Sequence, residues 1–164
     1  MLFFFDEARF GLIATLKRKW AKIGRPLKVE VSLSHEWFYI YSAVCPHTGE
    51  EVTYFLPLVN TDVMNIFLQE LSQRYPDKKI LLIMDRAPWH RAKKLNVYHN
   101  IEIEFLPAYS PELNPVERLW KWFRQECTHN RIFEGLEKMM DALQKTYLRL
   151  GPNKLATLCQ CNYL

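Results

Sequence analysis

The sequence predicts a mixed α/β fold, in which the sheet starts antiparallel and is covered by helices on both faces. Short apolar runs typical of buried strands recur along the chain, and beyond position 60 they alternate with segments of helical periodicity. The first strand patterns, in contrast, follow one another without a helix between them. The chain has 164 residues, 49% of them hydrophobic and 14% aromatic, which indicates one well-formed core rather than disorder.

The antiparallel start is predicted from the N-terminal third of the chain. Residues 2–5 form a continuous apolar run, typical of a strand buried on both faces, which we expect to deliver Asp6 at its end. Residues 28–33 and 36–44 are rich in β-branched and aromatic side chains and read as strands. The stretch 35–58 contains a turn and a second alternating run, so it predicts an antiparallel hairpin beside the first strand.

Helix and strand patterns alternate in the rest of the chain. Residues 61–75 carry apolar side chains at helical spacing, and residues 79–84 form an apolar run typical of a central strand, with Asp85 at its C-terminal edge. A short basic segment leads to an alternating strand at 101–105. Two further amphipathic helices are expected, one after Pro115 and one at about 134–149.

The domain organisation follows from these patterns. We expect a single domain over residues 1–150 and a loosely attached C-terminal tail over residues 151–164. The four cysteines are too irregularly spaced for a disulfide framework or a zinc site. No apolar run reaches membrane-spanning length and the N-terminus lacks the features of a signal peptide, so we expect a cytoplasmic protein.

The net charge of +4 is a weak indicator of nucleic-acid binding, but basic residues cluster around two tryptophans. Basic runs with interleaved aromatic residues suit a phosphate backbone, although a solvated surface loop explains each run equally well. The first run, around Trp20, contributes the candidate phosphate contacts Lys17, Arg18, Lys19 and Arg25. The second, around Trp89, contributes Arg91, Lys93 and Lys94.

Three acidic residues are candidates for chemistry. Asp6 and Asp85 each follow an apolar strand, where ligand-binding groups collect in α/β sheets, although acidic residues also end strands simply because solvent begins there. Glu117 has a structural alternative, because Asn114, Pro115 and Glu117 match a helix capping box. Carboxylates from separate elements suit two magnesium ions, the arrangement that phosphodiester cleavage uses.

Three motifs resemble those of the mariner superfamily, in particular its bacterial insertion-sequence transposases. They are LPAYSPELNPVERLW at 106–120, IMDRAPWHRAKKL at 83–95 and FDEARFGL at 5–12. The resemblance implies a ribonuclease-H-like fold and a catalytic, metal-binding set of Asp6, Asp85 and Glu117. It also implies two Mg²⁺ ions per site, with Mn²⁺ as a substitute.

By the same resemblance, the expected reaction is cleavage at transposon ends followed by strand transfer into target DNA, at TA sites. A homodimer is a further expectation. His90, Lys121 and Arg124 join the candidate DNA contacts, although Glu117 and Lys121 also have the spacing of an ordinary surface pair.

The sequence departs from the family pattern in two respects. Arg86 stands where the family more often has Asn or Gly after the second acid. Family members also carry helix-turn-helix modules before the first acid, whereas Asp6 lies near the start of this sequence, so terminal-repeat recognition is missing. Three explanations are open: a downstream frame of a split gene whose separate upstream product binds DNA, an isolated catalytic domain, or a decayed remnant. Three alternatives stay open: a remnant that only binds DNA or protein, another nuclease of the same fold such as a resolvase, and an ordinary α/β binding protein.

Overall fold

A five-stranded sheet forms the centre of the structure, a computed structural model that describes residues 1–13, 20, 22–24 and 34–161. The strand order is β3-β2-β1-β4-β5. Strands β1, β2 and β3 pair antiparallel, whereas β1 with β4 and β4 with β5 pair parallel. The strands are β1 (Leu2–Gly11), β2 (Trp37–Val44), β3 (Glu51–Leu56), β4 (Ile80–Met84) and β5 (Ile101–Phe105). The predicted mixed sheet is confirmed, while the strand expected at 28–33 falls outside the described residues.

Helices cover both faces of this sheet, as predicted. They are α1 (Thr61–Arg74), α2 (Val116–Phe123), α3 (Leu136–Tyr147) and α4 (Pro152–Leu158). Successive side chains of β1 point to opposite faces of the sheet. Phe3 and Phe5 pack in a core with residues of α1, whereas Phe4 packs in a second core with residues of α2, α3 and α4. Within the described ranges, no helix is both long and apolar enough to span a bilayer.

Strand β1 is longer than the sequence predicted, and this decides where Asp6 lies. The antiparallel ladder with β2 continues from Phe4 to Gly11, so Asp6 lies within the strand and not at its end. The expectation was wrong because pairing with β2 keeps the charged residues of β1 extended. On its other side, however, the parallel pairing of β1 with β4 is recorded only as far as Phe4. Asp6 therefore lies just beyond the part of β1 that pairs with β4.

The segment after Leu150 is not a loose end, which corrects the expectation from the sequence. Leu155 of α4 and Cys159 are 3% and 0% exposed and belong to the core on the α2 side of the sheet. The Lys154 ammonium lies 4.6 Å from the centre of the Trp122 ring. Pro152 is the first residue of α4, a position that proline favours, so it begins a helix. The domain boundary at residue 150 stays a prediction.

Replacing Gly49 with alanine should destabilise the protein by about 2 kcal/mol, because two features of this position exclude a side chain. Its φ is +71°, and an added Cβ would lie 1.9 Å from the Pro152 carbonyl oxygen. Urea denaturation measures the loss. Gly151→Ala is the matched control, because a Cβ there meets no atom within 4 Å. Equal destabilisation by the two variants would contradict the docking of α4 against the turn at Gly49.

Candidate functional site

A cleft of about 540 Å³ brings the three predicted acids together. Asp6 enters it from β1, Asp85 from the residue after β4, and Glu117 from the first turn of α2. The loop between β5 and α2 supplies much of the remaining wall, including Tyr109, which is fully exposed and has a φ of 59°. Residues far apart in the sequence therefore meet in one acidic cleft, which we call the acid cleft.

The position of Asp6 is fixed from α2. The indole nitrogen of Trp120 donates a hydrogen bond of 2.7 Å to Asp6 Oδ2, which leaves Oδ1 without a recorded hydrogen bond among the described residues. Burial raises the pKa of Asp6 well above its usual value, and repulsion from Glu7, Glu117 and Asp85 raises it further, against the effect of the Trp120 hydrogen bond. Crowded negative charge of this kind favours a bound cation.

Asp85 is held in the same way, through one of its two oxygens. Its Oδ1 accepts a 3.0 Å hydrogen bond from the Ala87 backbone N–H and lies 2.7 Å from His90 Nδ1. The His90 hydrogen bond lowers the pKa of Asp85, and it outweighs the opposing effect of burial. The carboxylate therefore stays ionised, with Oδ2 unoccupied by any recorded hydrogen bond in the described part of the chain.

Behind Asp85 lies a buried group that the sequence did not predict. His90 is 1% exposed, and its Nε2 lies 3.2 Å from Glu7 Oε2 as an ion pair without hydrogen-bond alignment. The Trp89 indole N–H donates to Glu7 Oε1 at 2.9 Å. We call Glu7, Trp89 and His90 the histidine brace. Burial disfavours the imidazolium, but Asp85 and Glu7 outweigh it and raise the pKa of His90 to about 9.

The alternation of β1 separates the two acidic neighbours. Asp6 shares a side of the strand with Phe4, which faces α2, whereas Glu7 shares the opposite side with Phe5, whose ring contacts the His90 ring edge-on at 5.4 Å. Asp6 therefore lines the acid cleft while Glu7 supports it from the other face. The adjacent acids at positions 6 and 7 were the one signal in the sequence that could have suggested this division.

Glu117 does not form the capping box that was the structural alternative to a catalytic role. Asn114 Oδ1 accepts from the Val116 N–H at 3.2 Å, and Asn114 Nδ2 donates to the Phe5 carbonyl at 2.9 Å, which ties the start of α2 to β1. The backbone N–H of Asn114, which a capping box pairs with the glutamate, bonds instead to the Pro111 carbonyl. The exposed Glu117 carboxylate is therefore available to the cleft.

The donor set of the acid cleft fits a hard divalent cation in chemistry. Asp6 Oδ1, Asp85 Oδ2 and the Glu117 carboxylate are oxygen donors of the kind that Mg²⁺ and Mn²⁺ prefer. Among the described residues, however, no group of three or more His, Cys, Asp or Glu side chains is arranged so that it could hold a metal ion as it stands. A metal site formed by these three acids would therefore require a rearrangement of their side chains.

The candidate DNA contacts are spread over several environments. Arg91 lines the acid cleft, and Lys93 and Lys121 are exposed. Lys94 forms an exposed ion pair of 3.0 Å with Asp62. The remaining candidates of the first basic run, Lys17, Arg18, Lys19 and Arg25, lie outside the described residues.

Two candidates lie in environments that the sequence did not predict. Both ring nitrogens of the buried His90 face carboxylates, which does not favour direct phosphate contact. Arg124 is partly buried, with its guanidinium carbon 5.2 Å from the centre of the Phe10 ring. Burial lowers the pKa of Arg124, while the charges of Glu117 and Asp6 oppose this, so Arg124 acts electrostatically on the acid cleft.

The mixed sheet and its flanking helices define a ribonuclease-H-like domain, with an acidic cleft where the pairing of β1 and β4 ends. The chain belongs to the DDE superfamily endonuclease family, whose model matches residues 1–140.

The chain is also similar to individual proteins and solved structures. An uncharacterized protein of Sinorhizobium fredii, y4pE/y4sA, is 41% identical over 105 residues, which cover 63% of this chain and 78% of that protein. An uncharacterized 39 kDa protein of insertion element IS630 from Shigella sonnei is 22% identical over 92% of this chain and 46% of that protein. The fold of the Mos1 mariner paired end complex with Mn is similar, with a TM-score of 0.74 and 18% identity over 96% of this chain. This chain spans 51% of the Mos1 chain.

Proposed function

We propose that this chain is the catalytic core of a cut-and-paste DNA transposase, which cleaves DNA at the ends of a mobile element and joins them to target DNA. The observation that carries the proposal is that Asp6, Asp85 and Glu117, from three separate elements, line one cleft. Membership of a family of endonucleases supports the reaction class. The fold is similar to that of the Mos1 transposase, solved as a paired-end complex with a transposon end, which supports DNA as the substrate.

The acids would hold two divalent ions, Mg²⁺ or Mn²⁺, which supply charge stabilisation for the attacking and leaving oxygens of the scissile phosphate. Trp120 fixes one oxygen of Asp6, and Ala87 and His90 fix one oxygen of Asp85, so each aspartate keeps its second oxygen for a metal ion. Glu117 would complete the set from the helix start, where a negative charge is favoured. The Mos1 complex solved with Mn supports the choice of metal.

The partners proposed for this core are the transposon ends and target DNA at TA sites. Arg91 in the wall of the acid cleft and the exposed Lys121 of α2 are the described residues best placed to contact phosphates near the acids. A homodimer is part of the same proposal. It follows the family resemblance of the three acidic motifs.

A strand-transfer assay tests this proposal. A labelled oligonucleotide duplex with a precut end is incubated with supercoiled plasmid, the protein and Mg²⁺ or Mn²⁺, and we expect labelled plasmid products that disappear when EDTA is added. Cleavage without joining would favour a resolvase-like nuclease instead. Binding of both DNAs with neither cleavage nor joining, at any divalent ion concentration, would favour a remnant that has lost its activity.

A further inference from the structure

A second cleft, of about 350 Å³, is lined by residues at the end of β1, at the start of β2, and between Arg124 and Met139 of α3. Three arginines line it, Arg9 from β1, Arg124 after α2, and Arg131 before α3. Trp37, the first residue of β2, completes the wall with a side chain that is 43% exposed. We call this the arginine cleft. It does not contain Asp6, Asp85 or Glu117.

The three arginines have unused hydrogen-bonding capacity. Each guanidinium carbon lies over an aromatic ring, with Arg9 at 5.4 Å from Trp37 and Arg131 at 5.4 Å from Phe133. Across the described ranges, none of the three side chains forms an ion pair or a hydrogen bond. A guanidinium carries five N–H donors, so the cleft presents a large number of donors to an outside ligand. Unpaired arginines in a concave site indicate an anionic ligand.

The partly exposed side chain of Trp37 indicates which kind of anionic ligand the cleft would bind. A partly exposed indole beside a guanidinium is a stacking surface for a nucleobase, and arginines beside it suit the phosphates of the same strand. Glu36 also lines the cleft, where it repels a ligand that is anionic throughout but can accept from the amino group of a base. Because bases in a duplex are stacked on each other, the cleft fits unpaired nucleotides.

The arginine cleft and the acid cleft lie at opposite ends of one helix. Glu117 is in the first turn of α2 and Arg124 directly follows its last residue, a separation of about 10 Å along the helix axis. The two clefts are also coupled electrostatically, since the charges of Glu117 and Asp6 act on Arg124. One strand can therefore reach both clefts with few nucleotides between them.

We propose that the arginine cleft binds unpaired nucleotides of single-stranded DNA, next to the phosphodiester that lies at the acid cleft. Only the second half of this statement rests on the proposed function. The affinity for single-stranded DNA is a property of Arg9, Trp37, Arg124 and Arg131 themselves.

Fluorescence anisotropy with a labelled oligonucleotide, single-stranded or annealed to its complement, tests the proposal in the absence of divalent ions. Trp37→Ala should weaken single-stranded binding about tenfold and duplex binding less than twofold, because base stacking is lost only from the single strand. Trp37→Phe should retain most of the affinity. Equal weakening of both DNAs by Trp37→Ala, or no weakening of either, would overturn the proposal.

The arginine contribution has its own control. Arg131→Gln should weaken the binding of single-stranded DNA, and the salt dependence of the affinity should decrease by the amount expected for the loss of about one phosphate contact. Arg149→Gln makes the same change in charge at an exposed site outside both clefts and should change neither the affinity nor its salt dependence. Identical effects of the two substitutions would show that only overall charge matters, contrary to the proposal. Thermal unfolding confirms that each variant is folded.

These titrations also separate this proposal from the proposed function. If the wild type binds single-stranded DNA through Trp37 but shows no strand transfer, the proposed role of the arginine cleft is retained and the transposase assignment is rejected. If Trp37→Ala joins DNA ends and binds single-stranded DNA as well as the wild type does, the transposase assignment is retained and the proposed role of the arginine cleft is rejected. Crosslinking of an iodouracil-substituted oligonucleotide to the peptide that contains Trp37 provides a second readout.

Discussion

Replacing Asp85 with alanine should abolish DNA cleavage and strand transfer while leaving nonspecific DNA binding largely intact. The Asp85 side chain is 55% exposed but pairs with the buried His90, so thermal unfolding is used to verify that the variant is folded at the assay temperature. It removes a proposed metal ligand, and because metal ions contribute several kcal/mol to stabilising the transition state, we expect a loss of about a thousandfold or more. Nonspecific affinity comes from lysine and arginine, which the substitution leaves in place.

Asp77→Ala is a suitable control for this prediction. Asp77 is an exposed acid in the turn after α1, outside the acid cleft, and its loss changes the net charge by the same amount. Cleavage rates are compared at several Mg²⁺ and Mn²⁺ concentrations, alongside gel-shift affinities for the same DNA. An Asp85→Ala protein that nicks DNA at the wild-type rate refutes the assignment of Asp85.

Replacing His90 with alanine should destabilise the protein by about 3–5 kcal/mol, because the buried Glu7 would lose its counter-charge. The Glu7 side chain is only 8% exposed, and its Oε2 has no hydrogen bond in the described part of the chain. Adding Glu7→Gln to His90→Ala should recover part of this loss, since the second substitution removes the uncompensated charge. If Glu7→Gln lowers the free energy of unfolding by the same amount in the His90→Ala protein as in the wild type, the two residues are not coupled, which would argue against the ion pair.

The same substitution should also weaken metal binding. His90 holds Asp85 Oδ1 at 2.7 Å, so its removal frees the carboxylate to rotate, and groups that orient metal ligands typically contribute 10–100-fold to affinity. Titration with Mn²⁺, followed by electron paramagnetic resonance at a temperature where the variant is folded, measures this directly. Unchanged Mn²⁺ affinity in folded His90→Ala would limit the histidine brace to a structural role.

The histidine brace also predicts a pH dependence of stability in metal-free protein. The pKa of His90 is raised to about 9 from an ordinary 6.5, so the folded state binds the proton more tightly than the unfolded state. The resulting stabilisation is fully present below about pH 6.5 and is lost as the pH rises through 9, with a size on the order of 3 kcal/mol. Urea midpoints for the wild type and His90→Ala should therefore converge towards high pH. A constant difference across this range would contradict the shift.

The sequence was most informative where local pattern and position in the fold coincide. Asp85 was predicted as a site residue because it follows a continuous apolar run, and β4 does end at Met84 beside it. Glu117 was found through the motif around Asn114 and Pro115, and the same asparagine anchors α2 to β1. Asp6 lies in the same cleft as the other two acids, but within β1 and not at its end, at a point where the pairing with β4 has ended.

What the sequence could not predict depends on contacts between distant residues. The pairing of Glu7 with His90 needs the strand alternation of β1 and the path of the loop after β4, neither of which a local pattern specifies. His90 was expected to contact phosphate because it lies in a basic run, yet its neighbours in space are carboxylates. The attachment of α4 was missed because seven residues carry too little periodicity to indicate a buried face.

A crystal of the protein soaked in Mn²⁺ gives the most direct test of whether Asp6, Asp85 and Glu117 hold divalent ions together. We expect anomalous density in the acid cleft, with carboxylate oxygens of all three residues within about 2.3 Å of a metal ion after their side chains have rearranged. Absence of anomalous density there at saturating Mn²⁺, or an ion held elsewhere with Glu117 turned away from both aspartates, would contradict the catalytic assignment.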